Sequence, residues 1–213
     1  MKRAIFIHIP RTGGTSIRKS VTDNFDSFYI PNQGNVKDDV QFTVLDHRSP
    51  GWYLRRRRIA KSRWEQSVKI AFVRNPWDRL VSLYKYLSSY RPYRRRFRVS
   101  NALLSSFDLF ANEVASGTST FVKAVSHYNV RDWSQANPQV RWLEWGVDVI
   151  GRFESLEEDW SRICKSFGIQ VGSLSNKNRS KDRTDYRSFY TDELAESVGN
   201  YYAEDIARFS YEF

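Results

Sequence analysis

The chain holds few of the residues that staple or metallate small proteins: one cysteine, one methionine and three histidines in 213 residues. A lone Cys164 excludes an intramolecular disulfide framework and argues against a cysteine-based zinc site. Long apolar runs are also missing. No stretch approaches the roughly 20 apolar residues of a membrane span, and the few apolar residues between Met1 and Pro10 are too short a core for a secretory signal. A soluble, cytoplasmic protein without a membrane span is expected. Internal repeats and low-complexity linkers are absent too, so residues 1–213 read as a single domain. What is present is enough for a core. Apolar residues at 40% and aromatics at 15% rule out a disordered chain. The 34 basic against 24 acidic residues leave a formal charge of +10, which favours an anionic partner. Nucleotide, sulfated or phosphorylated substrate, nucleic acid and membrane headgroup all satisfy that charge.

Strand-like and helix-like segments alternate. Ala4 to Ile9 is too continuously apolar for a half-exposed strand and reads as a central strand buried on both faces. A helix is expected from Thr15 to Val21, with Thr15 or Ser16 as its N-cap. Phe42 to Leu45 is a short apolar run that ends at Asp46-His47. Lys69 to Val73 reads as a third strand, and Pro76 suits the first turn of the helix carrying Arg79, Ser82 and Tyr86. Asp148 to Phe153 reads as a fourth strand, followed by a helix over roughly Ser155 to Phe167. The tail from Thr191 to Phe209 has helical periodicity, with Leu194, Val198, Tyr201 and Ile206 available to one face. The pattern predicts an α/β fold, a mostly parallel central sheet flanked by helices. The segment from Tyr90 to Phe107 is polar and Arg-rich, and reads as an excursion near the site.

Ligands in such sheets bind beyond the carboxyl ends of the strands. Two turns fall there. In the first, Pro10-Arg11-Thr12-Gly13-Gly14-Thr15-Ser16, paired glycines let the backbone turn tightly and expose its N–H groups. The following helix start adds partial positive charge, Thr15 and Ser16 add hydroxyls, and Arg11 adds a full charge. The spacing is not that of a Walker A loop, because no lysine precedes Thr15-Ser16. An ordinary Gly-Gly turn is the plain alternative. In the second, Arg74 leaves a buried strand toward the same sheet edge, with Ser82 on the helix beyond. Pairing with Asp78 is the alternative for Arg74, and Arg79 reads as a solvated or structural charge.

Together these stretches resemble the two signatures of PAPS-dependent sulfotransferases of the carbohydrate (Golgi-type, "family 2") class and their soluble bacterial relatives. The first signature is similar to Pro10–Ser16, and the second to Val73-Arg74-Asn75-Pro76-Trp77-Asp78-Arg79-Leu80-Val81-Ser82. Weaker likeness extends to Asp148–Ile169, to Asn178-Arg179-Ser180, and to the tail from Tyr190. The resemblance implies a P-loop-like core and transfer of a sulfuryl group from 3′-phosphoadenosine 5′-phosphosulfate (PAPS) to an acceptor hydroxyl. It also implies that Arg11, Thr12, Gly13, Gly14, Thr15 and Ser16 surround the 5′-phosphosulfate, with Arg11 at the position of a catalytic lysine. Arg74 and Ser82 would hold the 3′-phosphate, and Ser180 and Lys181 would close over the nucleotide; a polar surface loop is the alternative for the last two. Arginine keeps the charge of the family's lysine but not its compact ammonium geometry.

Transfer needs a base for the acceptor hydroxyl. His8 lies inside the first strand and reads as a core residue, and His127 sits in an irregular stretch. His47 stands where the family places a histidine base, so it carries that expectation; a capping or surface histidine is the alternative. The runs Arg55–Arg58 and Arg94–Arg96 read either as a solvated face or as a groove for an anionic acceptor. No nucleic-acid module is visible. No metal-ligand cluster is apparent in the sequence, and this chemistry requires no metal. Cys164, in an amphipathic helix, reads as core. The alternatives to sulfuryl transfer are a divergent P-loop kinase or NTPase, and a polyanion-binding protein without catalysis.

Overall fold

The computed structural model describes residues 3–24, 28–29, 42–89, 101–117, 135–169, 174 and 184–213. They form two compact units, one built from 1–74 and 141–181 and the other from 75–140 and 182–213.

The first unit holds a five-stranded sheet in the order β2-β3-β1-β4-β5, and every pairing in it is parallel. The strands are β1 (Ala4–His8), β2 (Phe28–Tyr29), β3 (Phe42–Asp46), β4 (Val68–Val73) and β5 (Val149–Arg152). β2 is a two-residue edge strand that periodicity could not reveal. β1 is central and its five residues are all buried, as a parallel strand covered on both faces requires. Alternation along β1 and β3 puts Ala4, Phe6 and His8 on one face, in register with Phe42, Val44 and Asp46. On that face α1 (Gly14–Asn24) packs Ile17 and Val21, and a later helix packs Trp160, Ile163 and Cys164. The Trp160 ring meets Phe42 and Phe72 edge-on or tilted, at 6.2 and 6.3 Å between centroids. Burial pushes the Cys164 thiol up to about 12, so it is an inert core residue.

α1 starts one residue before the sequence-based boundary, because the Gly13 carbonyl already accepts from Ser16 and Ile17. Two short helices, α2 (Pro50–Arg55) and α3 (Lys61–Gln66), fill the β3–β4 connection. Ser49 caps α2 by accepting from the Trp52 N–H, and Pro50 occupies its first position.

The second unit is helical: α4 (Pro76–Ser89), α5 (Phe107–Ala115), then, past the helix α6 (Leu156–Phe167) of the first unit, α7 (Asp192–Tyr201) and α8 (Ala203–Phe209). The Asn75 side-chain oxygen accepts from the N–H groups of Trp77 and Asp78 and so starts α4. Its amide nitrogen donates to the Glu212 carbonyl at 2.8 Å, tying the chain terminus to that start. Leu80, Leu83, Leu87, Phe107, Phe110 and Val198 form its core. The predicted single tail helix is two helices, broken at Tyr202. That residue leaves helical backbone (φ −101°, ψ 21°), is buried to 1% exposure and donates its hydroxyl to the Ala136 carbonyl at 2.6 Å. Leu194 and Val198 are buried as expected, whereas Tyr201 and Ile206 are only half-buried.

Arg79 turns out to be structural rather than solvated. It is 2% exposed and donates to the Gln135 and Asn137 carbonyls at 2.7 and 2.8 Å. Among the described residues no helix is long and apolar enough to cross a membrane.

Candidate functional site

The site in the first unit grows from the carboxyl ends of β1, β3 and β4. The turn after β1 takes left-handed backbone at Arg11 (φ 67°) and Gly13 (φ 84°), separated by Thr12. Such alternation turns successive N–H groups into one concavity, the arrangement that binds anions. The eleven-residue α1 then adds its N-terminal partial charge. The Thr12 hydroxyl donates to the Ile9 carbonyl at 2.9 Å and Thr12 is fully buried, so what it offers a ligand is backbone. Thr15 is exposed and Ser16 half-buried at the helix start. The expected tight turn is therefore formed as a local structure at the sheet's carboxyl edge.

Arg74, the residue after β4, is 8% exposed and bound to that same turn: its Nη1 donates to the Arg11 carbonyl at 3.1 Å. The guanidinium also lies 4.0 Å from the centroid of the Phe153 ring, a cation–π contact. Phe153 and Leu156, where β5 leads into α6, press against Gly13 so closely that a Cβ there would meet Leu156 at 2.8 Å. The late strand–helix segment thus buttresses the turn and holds Arg74, roles that its own sequence does not announce. Ser82 lies half-buried on α4, in the second unit. Ser180 and Lys181, along with Asn178, His127 and Arg94–Arg96, fall outside the described residues.

The largest departure from the sequence reading concerns histidine. His8 ends β1 opposite Asp46 of β3, and His47 follows directly, so three polar groups converge. The His8 and His47 ring centroids are 4.2 Å apart. His8 Nδ1 is 3.5 Å and His47 Nε2 3.6 Å from the same Asp46 oxygen, Oδ1. Both separations exceed ordinary hydrogen-bond length. Burial would raise the Asp46 carboxyl, but the His8 contact and the charges of His47, His8 and Arg18 outweigh it and hold the group well below the usual carboxylate range.

His47 itself sits in left-handed backbone, φ 56°, which costs a non-glycine residue about 1–3 kcal/mol. Neighbours enforce it. The Trp142 indole donates to the His47 carbonyl at 3.1 Å, and the Tyr53 hydroxyl and the Arg48 N–H both donate to the Asp46 carbonyl. The expectation that no metal-ligand cluster exists is corrected here: His8, Asp46 and His47 place one ligand atom each within 4.8 Å of one another. Sequence reading missed Asp46 and set His8 aside as core. The available signal was its place as the last residue of a central strand.

Gly14 completes the arrangement through space rather than backbone conformation. A Cβ built on it would land inside the His8 imidazole, which is already boxed by the Phe6 and His47 rings. Gly14→Ala gains helix propensity yet is expected to destabilise the protein by about 1–3 kcal/mol through overpacking. A thermal melt should show a fall of roughly 2–12 °C, and an unchanged melt would mean that His8 has room to move.

The model of the sulfotransferase family matches residues 2–212. A curated protein of Archaeoglobus fulgidus, itself uncharacterized, is 28% identical over 120 residues, which is 56% of this chain and 82% of that protein. The fold is similar to the crystal structure of mouse sulfotransferase SULT7A1 complexed with PAP, with a TM-score of 0.59, 13% identity, and 96% of this chain and 84% of that one covered. It is also similar to a sulfotransferase from Alicyclobacillus acidocaldarius, with a TM-score of 0.50, 15% identity, and 99% and 95% covered.

Proposed function

The chain belongs to the sulfotransferase family, and we propose that it transfers the sulfuryl group of PAPS to an acceptor hydroxyl within one functional domain. The family match spans both compact units, which supports a single working domain. The observation that carries the donor assignment is the bond from Arg74 Nη1 to the Arg11 carbonyl, because it joins the second motif's arginine to the first motif's turn. Residues 11 to 16 hold the 5′-phosphosulfate through backbone N–H groups, the Thr15 and Ser16 hydroxyls and the Arg11 charge. Arg74 and Ser82 hold the 3′-phosphate, with Ser180 and Lys181 closing over the nucleotide; for these the support is the motif likeness. The Arg74 guanidinium, largely buried and packed over Phe153, is a strong partner for a phosphate dianion.

His47 takes the acceptor proton as the hydroxyl oxygen attacks sulfur. The bond from sulfur to the bridging phosphate oxygen breaks, and the electron pair stays on that oxygen, where Arg11 and the α1 start meet the charge. Asp46, 3.6 Å from His47 Nε2, stabilises the imidazolium that results. Positioning and electrostatics suffice for this step, as in phosphoryl transfer.

An anionic acceptor is supported by the basic end of α2. Trp52 is flanked by Arg48 and Arg56 at 3.7 and 5.2 Å, and Arg55 lies 6.0 Å from the exposed Trp145 ring. Arginines over aromatic faces suit a ring-bearing, negatively charged acceptor.

The donor assignment is tested by thermal shift. PAP should raise the melting temperature of the wild type. Arg74→Ala should lose most of that rise, as expected when a charge-assisted contact of about 1.5–3 kcal/mol is removed. A wild type that does not respond to millimolar PAP would sink the PAPS assignment. Magnesium-dependent ATP hydrolysis in its place would favour the NTPase alternative, and salt-dependent heparin binding with no PAP response would favour the polyanion binder.

A further inference from the structure

We infer that His8, Asp46 and His47 form a site for a late first-row divalent cation, Zn²⁺ by preference, whose occupancy blocks the catalytic base. The site lies beside the phosphate turn and requires none of its residues.

Three observations carry this. First, the donor set is right: two imidazoles and one carboxylate are hard-to-borderline ligands that suit Zn²⁺ over Mg²⁺, which prefers oxygen alone. Second, two of the three spacings are nearly those of a bound metal. Bonds of about 2.0–2.1 Å in tetrahedral geometry put neighbouring ligand atoms about 3.3–3.4 Å apart. The two nitrogens stand 3.5 and 3.6 Å from Asp46 Oδ1, and all three ligand atoms lie within 4.8 Å. Third, the His8 Nδ1 atom is buried and has no hydrogen-bond partner among the described residues, although His8 is only 5% exposed. A buried polar atom of that kind normally finds a partner, and here it faces the carboxylate at a distance too long to satisfy it. A cation between them resolves the mismatch.

Access and rigidity favour the same conclusion. The Asp46 and His47 side chains keep 18% and 21% of their exposure, so an ion can enter from that side. His8 is fixed from behind by Phe6 and Gly14. The His47 backbone is fixed by Trp142, which limits the positions its imidazole can take. Three protein ligands leave a fourth tetrahedral position for water.

Binding itself does not depend on the transfer reading, whereas the block does, because it works by occupying the proposed base. Zn²⁺ is therefore titrated into the full chain, without PAPS or acceptor, in competition with a fluorescent chelator. One Zn²⁺ per chain should bind, and Mg²⁺ should not compete. Outer partners of a metal site already cost about 10–100-fold in affinity when lost, so His47→Asn and Asp46→Asn should each weaken binding by at least that much. His127→Ala should bind as the wild type does. PAPS-dependent transfer should then fall in step with occupancy and return on adding EDTA. No binding, a His47→Asn variant that binds as well as the wild type, or full transfer with Zn²⁺ bound would each overturn the inference. A failure of the PAPS reading would leave the chelator titration unaffected, so the two are separable.

Discussion

Replacing His47 with asparagine or alanine is expected to lower the transfer rate by about 10²–10⁴-fold, the range for losing a general base. PAP binding should survive, since His47 belongs to the β3–α2 turn and the proposed phosphate grip to the β1–α1 turn and Arg74. Asparagine is the cleaner replacement. It tolerates the left-handed backbone found at φ 56°, where alanine adds a conformational cost. The two variants together separate lost chemistry from a relaxed turn: both should fail in turnover, and only alanine should soften the melt. Steady-state rates beside a PAP thermal shift supply both readouts. Turnover preserved in both variants would move the base to His8, the other imidazole in the cluster, 4.2 Å away between ring centroids.

The second large effect is on stability and comes from Arg79. Its guanidinium donates to the Gln135 and Asn137 carbonyls and approaches Asp205 at 4.0 Å, with both side chains essentially buried. Asp205 in turn accepts from the Gln139 and Val140 N–H groups and the Gln139 amide, at 2.8, 2.9 and 3.1 Å. Removing one member of such a network leaves the other buried and uncompensated, at a cost of about 3–5 kcal/mol. Arg79→Ala should therefore lower the melting temperature by roughly 6–20 °C. Burial lifts the Asp205 carboxyl above its usual range even against the pull of Arg79 and its N–H donors. The sign of the pH effect follows. An acid whose folded value is raised loses stability as pH climbs from about 4 through that value, and removing Arg79 raises it further. The gap between variant and wild type should be small near pH 4 and widen toward neutrality. A gap that does not change with pH would mean that the two backbone carbonyls, and not the carboxylate, carry the loss.

Both results bear on what the second motif does. Arg74 and Arg79 stand five residues apart and look alike in the sequence, yet one joins the β1–α1 turn and the other staples a helical unit. Their difference is which partners the fold brings: a turn carbonyl and Phe153 for Arg74, and two carbonyls and a buried carboxylate for Arg79. The anion turn was legible early because glycine pairs and a helix start act locally. The helical tail was legible in type but not in its break at Tyr202, whose hydroxyl meets the Ala136 carbonyl, a long way off in the chain.

By itself the sequence determined the parallel α/β framework and the tight Gly-Gly turn at Pro10–Ser16, and it offered the proposed roles of that turn, Arg74 and His47. Each rests on neighbours a few residues apart: an apolar run, a turn, a helix start. Tertiary structure decided the rest. Only the pairing of β1 with β3 makes His8 face Asp46, and only the packing of α1 closes Gly14 over that imidazole. Only the approach of β5 and α6 gives Arg74 its aromatic floor. These contacts join residues far apart in the chain, and no local period or propensity encodes which strand lies beside which. Strand register turned a histidine that read as core into one corner of a charged cluster.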